Sequence, residues 1–565
     1  MYRAAFVPAL LAVVLAMFSL QSRPRPLPQG LAADVLFDGR LAALQAARIG
    51  ERAPDRRPGR PGDLATAALV EGALDARGFR VQTESFTHAG RELQNVVGRR
   101  AGRSRRQLVI VAARDAAVVP EATGSAADTA ALLELARVFQ GRPTRKTLVL
   151  ASVDGSTLGQ VGTERLLDEL GSPGVVDAVL VMSDLAAADR RGPFVQAWSN
   201  DYRRAGIGLQ RTVSDSIRQE LQLPAGASGT LGQLARLSFP IGIGAQGVLL
   251  EHGYDAVRIS GSGELPPAGD GPVEAIDEDR LGALGRATLR TVTALDMREP
   301  PPHGPESYVT AVSQVMPGGV LALLAGTLLL PALVAAIDAF ARARRRRLDV
   351  LPWMRWLAAW VAPFLAGLAA AEVLALTGAT PIPPPAPVPP ATLPLDGPAL
   401  GVLGSVAAAM ALAFLLARYL AGRPDARLRR PTEPGAAVAV ALVAGASAVL
   451  LWLANPYAGL LAVPAAHLWM LSVLTRARPA RRVRGLLIAL GALPVLLVAV
   501  YYLFALSLDP LEGAWYLLLL VTGHSVGLPT ACVACLMLGS ACAVSELAWR
   551  TPRRVEERLG LPLRR

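Results

Sequence analysis

Beyond Pro317 the chain becomes a series of apolar runs, 320–340, 356–376, 399–416, 436–454, 457–474 and 486–508. Each is about 18–23 residues, enough to cross roughly 30 Å of hydrocarbon as a helix. A last run, 515–548, is too long for one simple span and is interrupted at 523–529, so it is one broken helix or two short ones. Arginines fill alternate connections: Arg342 and Arg344 to Arg347, Arg423 to Arg430, Arg476 to Arg484, and the tail from Arg550 to Arg565. The connections between them, 377–398, 455–456 and 509–514, hold no Lys or Arg. The positive-inside rule then predicts eight crossings with both termini cytoplasmic, the first being the run 6–20 behind Arg3. No small-x-small cleavage site follows that run, so it is expected to stay as an anchor.

Composition agrees with a membrane chain. Of 565 residues 52% are hydrophobic, above the about 45–50% usual for soluble proteins, and the excess is confined to the second half. Net charge is +12, almost all from arginine, since Lys146 is the only lysine. That bias points to genome composition and a bacterial plasma membrane. The arginines lie between apolar runs, which argues against nucleic acid as a partner. Cys532, Cys535 and Cys542 all fall in the last apolar run, so no disulfide framework holds an exported domain together, and the three are expected to pack as small apolar residues. The layout is an N-terminal anchor (1–22), a globular extracytoplasmic domain (23–300), a linker (301–319), a transmembrane domain of about seven helices (320–549) and a basic cytoplasmic tail (550–565). The proline-rich stretch 381–390 is expected to be an extended outer spacer.

Ionisable groups inside spans are costly unless paired or hydrated, so Glu372, His467 and His524 are the intramembrane candidates for function. Each also has a structural reading: Glu372 lies near an outer end, His467 can bond a neighbouring helix, and His524 sits beside the break.

In the globular segment short apolar runs alternate with helical patterns: 108–112, 126–139, 147–153, 162–170, 178–182. This predicts an α/β domain, a mostly parallel sheet flanked by helices, next to the α-helical transmembrane domain. Ligands of such sheets bind beyond the carboxyl ends of the strands.

Four segments resemble the M28 zinc aminopeptidases: Arg57-Pro58-Gly59-Arg60-Pro61-Gly62-Asp63 with the helix after it, Gln94-Asn95-Val96-Val97-Gly98, Ala131-Leu132-Leu133-Glu134-Leu135-Ala136-Arg137, and Gly253-Tyr254-Asp255-Ala256-Val257-Arg258-Ile259. Their order and spacing match over about half the chain. The resemblance implies a site with two zinc ions ~3.5–4 Å apart, histidine and carboxylate ligands and a glutamate base. Most of those residues are absent. Ala113-Arg114-Asp115 stands where the family has His-x-Asp, leaving only the supporting Asp115. Ser156 and Thr157 replace the paired glutamates, Asp184 keeps an aspartate ligand position, and Gln246 stands at the last histidine. Asp128 is either the bridging aspartate or an N-cap or first-turn charge. His88 and His303 lie away from these positions, and His252 is the one histidine that could join Asp184 and Asp115 in a rearranged single-metal site. Ser156 has no base beside it that would make it a nucleophile.

A degenerate M28-like domain between one anchor and seven spans is also similar to the attachment subunit of the glycosylphosphatidylinositol transamidase, in domain order and span count and not by any short signature. The expectation is a non-catalytic membrane protein with no cofactor, binding a peptide, protein or lipid-linked partner at the outer face. Two alternatives stand beside it: a membrane-anchored metallo-aminopeptidase with altered zinc ligands, and a transporter or lipid-handling protein with an accessory outer domain.

Overall fold

The computed structural model describes residues 4–28, 36–117, 119, 121–187, 192–265, 272–298, 304–311, 314–420, 433–474 and 480–549. The arginines of 423–430, Arg476, Arg478, the tail from Arg550 and His303 lie outside the described residues.

Among the described residues there are ten strands: β1 (Gln21–Ser22), β2 (Arg80–His88), β3 (Arg91–Arg100), β4 (Ser104–Ala113), β5 (Lys146–Val153), β6 (Val176–Ser183), β7 (Phe194–Gln196), β8 (Ala256–Ser260), β9 (Tyr308–Ala311) and β10 (Gln314–Pro317). Seven form one sheet in the order β2-β3-β5-β4-β6-β8-β7. Its centre, β5-β4-β6-β8, is parallel, whereas β3 and β2 on one flank and β7 on the other pair antiparallel. The sheet is therefore mixed and not mostly parallel. The physical reason is local: β2 and β3 are joined by the tight Ala89-Gly90 turn, with both residues at positive φ, which allows only antiparallel pairing.

The parallel centre is buried on both faces, as the unbroken apolar runs of β4, β5 and β6 require. Helix Ala127–Phe139 covers it with almost every side chain buried. Glu134 on that helix is itself buried, pairs with Arg137 and accepts from the amide of Asp38 at 2.9 Å, tying down the start of helix Gly39–Arg52. The Leu-Leu-Glu pattern is thus an anchor between two helices.

On the way into the second half, β9 pairs antiparallel with β10, and β1 adds beside β10. Beyond it, seven helices among the described residues are long and apolar enough to cross a membrane: Gly318–Arg345, Leu351–Leu376, Gly397–Leu420, Pro434–Ala454, Pro456–Leu474, Arg481–Ala505 and Leu528–Trp549. Val7–Phe18 is a shorter apolar helix packed on Gly318–Arg345. Close approach between helices rests on small residues, Ala332, Ala336, Ala441, Ala448, Ala462 and Ala466 among them. Gly539 similarly lets Leu528–Trp549 lie against the backbone of Val361.

The broken last run becomes two helices, and the first is shorter than those long enough to cross a membrane. Pro510–Thr522 has 13 residues, about 20 Å at 1.5 Å per residue. Trp515, Leu518 and Leu519 pack on Ala371, Ala399 and Val402 of the bundle. Tyr516 and Leu520 pack on Ile241, Ile243 and Leu265 of the globular half, with Tyr502 and Leu506. It is apolar all round because it is a wedge between the two halves.

Further contacts join the halves. Arg236 is buried in helix Thr230–Ser238, pairs with Glu264 and lies over the rings of Tyr501 and Tyr502 at 5.8 and 5.3 Å. Tyr502 donates to the carbonyl of Phe239, and Asn455 donates to that of Leu237 at 2.8 Å.

Candidate functional site

The carboxyl ends of the parallel strands gather most of the positions singled out in the sequence. β4 ends at Ala113, and Arg114 turns back beneath the sheet end with its side chain wholly withdrawn from solvent. Its guanidinium meets Asp63 at 3.1 Å and Asp154 at 3.4 Å. Asp63 is pushed up to about 9: burial dominates, the Arg114 charge opposes it, and the neighbouring Asp154 adds to it.

Asp115 is buried and its two oxygens are taken by the loop after β5. They accept from the amides of Ser156 and Thr157, each at 3.0 Å, and from the Thr157 hydroxyl at 3.0 Å. Burial and the charge of Asp154 hold its carboxyl above the usual range.

Asp128 lies in the first turn of helix Ala127–Phe139 but does not cap it. Its carboxylate reaches across to β6, accepting from the amides of Asp184 at 2.9 Å and Leu185 at 3.0 Å. Asp184 has a left-handed backbone, φ 55°, and accepts from the Ser183 hydroxyl at 2.6 Å. Burial and the nearby Asp184 charge raise Asp128 well above an ordinary aspartate.

Gln246 is fully buried; its amide nitrogen donates to Ile243 O at 2.9 Å, while its Oε1 has no hydrogen-bond partner among the described residues. Both that oxygen and the side chain of Arg258 crowd Gly244, whose absent Cβ would fall 2.5 Å from Gln246 Oε1 and 3.4 Å from Arg258 Nε.

Three groups that complete this centre were not singled out from sequence. Arg258, on β8, is buried with Asp184, Glu264 and Asp128 as its charge partners. Arg56 is fully buried, donating to Ala53 O at 2.8 Å, to Ser125 Oγ at 3.1 Å and to the carbonyl of Glu121. Glu121 accepts from the amide of Ser125 at 3.0 Å and is pushed up to about 7 by burial, the Ser125 bond opposing and the Asp184 charge adding. A signal existed for one of them: Arg258 interrupts an apolar strand.

The histidines do not converge here. His88 ends β2 at its hairpin. His252 caps helix Ala245–Glu251 at the end away from Gln246; its Nδ1 lies 2.9 Å from Val248 O and its Nε2 4.0 Å from Glu164.

The intramembrane candidates are also scattered. His467 Nε2 is 2.8 Å from the carbonyl of Leu328 on the adjacent helix, with Phe6 5.6 Å from its ring. Glu372 has a buried Oε1 with no hydrogen-bond partner among the described residues, and His524 is exposed with φ 59° in the break before Leu528.

The proline-rich connection is packed, and not a free spacer. Ala386 and Val388 are buried, and Tyr516 donates to Val388 O at 2.8 Å. Pro384 and Pro385 rest on Gly159, three residues beyond Ser156: a Cβ at Gly159 would fall 2.5 Å from Pro385 Cδ and 2.8 Å from Pro384 Cβ.

Comparison with family models finds no match, and no curated protein matches. Solved structures do. They include a zinc aminopeptidase from Bacillus subtilis, 12% identical with a TM-score of 0.38, covering 47% of this chain and 95% of that one. The LapA aminopeptidase of Legionella pneumophila is 13% identical with a TM-score of 0.40, covering 47% of this chain and 72% of that one. A glutaminyl cyclase from Porphyromonas gingivalis is 15% identical with a TM-score of 0.36, covering 46% of this chain and 98% of that one. These are likenesses of chain path over about half of the chain.

Proposed function

We propose that this chain is a membrane protein whose globular half is a non-catalytic, M28-peptidase-like domain that binds a peptide, protein or lipid-linked partner at the outer face. The observation that carries this is the state of the surviving carboxylates. Asp115 and Asp128 are spent on loop and backbone N–H groups, and the surrounding negative charge is met by the buried Arg56, Arg114 and Arg258.

On this reading the residues present do not fit the zinc pair of an aminopeptidase. A zinc site needs unoccupied donor lone pairs in a tight shell, normally with nitrogen or sulfur among them. Here Gln246, Ser156 and Thr157 offer neutral groups, and among the described residues no histidine converges and no group of three or more metal-binding side chains occurs. No hydrolytic step is drawn through a metal. What remains is a rim of neutral polar groups, Ser156 and Thr157 half-buried among them, set beyond the sheet.

The architecture, with Val7–Phe18 as anchor and seven following crossings, is similar in order to the transamidase attachment subunit. That similarity contributes the layout and the outer placement of the domain, with both termini cytoplasmic, and not the substrate.

The test uses the full-length protein in detergent, with zinc measured by elemental analysis before and after chelation and zinc reconstitution. Below about 0.1 zinc per chain is expected, since structural or catalytic zinc binds with large free energies. One tightly held zinc would overturn the non-catalytic reading and restore the aminopeptidase alternative.

A further inference from the structure

The proline-rich connection touches the two halves at two glycines. On one side Pro384 and Pro385 seat on Gly159 of the loop that carries Ser156 and Thr157. On the other, Gly523 seats on the same segment: a Cβ there would lie 3.0 Å from Pro384 O and 3.1 Å from Pro383 Cβ. Gly523 is where helix Pro510–Thr522 ends and the break before the last crossing begins. The segment is thus held between the rim of the site and the broken helix, with no space for a side chain on either flank. Prolines suit this role because a pre-extended backbone loses little entropy when seated and keeps its shape when released.

We propose that Pro383 to Pro385 form a strap over the site beyond β5, and that the break at Gly523 controls whether it is seated. The proposal rests on the reading of that site as a binding cleft and names its regulation. With the strap seated, the Ser156–Gly159 rim is closed from the side of the bundle. A shift at the break, where the left-handed His524 ends the helix and only the end-turn bonds of the Gly523, His524 and Val526 amides to the carbonyls of Leu519, Val521 and Leu520 hold the chain, releases the strap and opens the rim.

The test reads chemical access and needs no partner. In full-length protein with Cys532, Cys535 and Cys542 replaced by alanine, Ser156→Cys is labelled with a membrane-impermeant maleimide, and the rate is followed. Replacing Pro383, Pro384 and Pro385 by Gly-Ser-Gly is expected to raise the rate about tenfold, as for loss of a locally closing set of contacts. Gly523→Leu, at a negative φ that tolerates a side chain, is expected to do the same from the opposite flank. Gly401→Ala, with nothing near its added carbon, is expected to leave the rate unchanged. Equal rates in the strap variant and its parent overturn the proposal. So does acceleration by the strap variant without acceleration by Gly523→Leu, or acceleration by Gly401→Ala. Bound zinc together with strap-dependent labelling would retire the non-catalytic reading and keep the strap; absence of both would do the reverse.

Discussion

The guanidinium of Arg114 sits 3.1 Å from Asp63 with neither side chain reachable by water. Removing the guanidinium leaves Asp63 and Asp154 buried together with no cation between them, which costs more than the contacts contributed. Arg114→Met is therefore expected to destabilise the globular half by about 3–5 kcal/mol. Arg114→Lys should recover only part of this, because an ammonium cannot face Asp63, Asp154 and the carbonyls of Gln94 and Ser152 together. Guanidinium unfolding of the purified variants checks the order Arg, Lys, Met.

Stability should fall as pH rises from acid to neutral. Glu121 moves from 4.5 to about 7 in the fold, so between those values the folded state holds a proton that the unfolded state has lost. The contribution is full below 4.5 and lost as pH passes about 7, worth at most about 3 kcal/mol at 1.36 kcal/mol per unit. Asp63, raised to about 9, extends the decline upward. Unfolding midpoints at pH 5 and pH 8 measure the slope, and Glu121→Gln should remove its share between 4.5 and 7; an unchanged slope in that variant would show that the carboxyl is not the source.

Asp128→Ala is expected to cost about 1–3 kcal/mol or more, because the amides of Asp184 and Leu185 lose their acceptor in a buried place. Asp128→Asn retains one acceptor oxygen and should be milder. If Asp128 instead served a bound metal, the two variants would differ in zinc content and scarcely in stability, which elemental analysis and unfolding together distinguish.

Arg236→Leu should loosen the globular half on the bundle while leaving the sheet intact. Hydrogen exchange is expected to rise in Thr230–Ser238 and at 239–243, and not in β4, β5 or β6, since only the first two segments lean on Tyr501 and Tyr502. Increased exchange across the whole sheet would mean that Arg236 belongs to the core of the domain.

The apolar periodicity made the long helices and the alternating domain legible, and strand ends pointed to Asp115, Ser156 and Asp184, whereas Gln246 lies at the start of helix Ala245–Glu251. What stayed hidden was set by tertiary contact. The orientation of β3 depended on a two-residue turn at Ala89-Gly90, and helix Pro510–Thr522 read as part of a span because a helix covered on both sides by protein is as apolar as one covered by lipid. The arginines of the site did not stand out in a chain already rich in arginine. Only the fold reveals that Arg56, Arg114 and Arg258 are among its most buried side chains.

The wedge helix carries a practical consequence. Ile241, Ile243 and Leu265 are covered by Tyr502, Tyr516 and Leu520, and Trp198 and Leu237 by Leu321 and Tyr457. Cutting the chain before Gly318 would bare these residues to water as one sticky face, inviting the severed half to self-associate or to seek micelles. Each half is in effect the other's solvent.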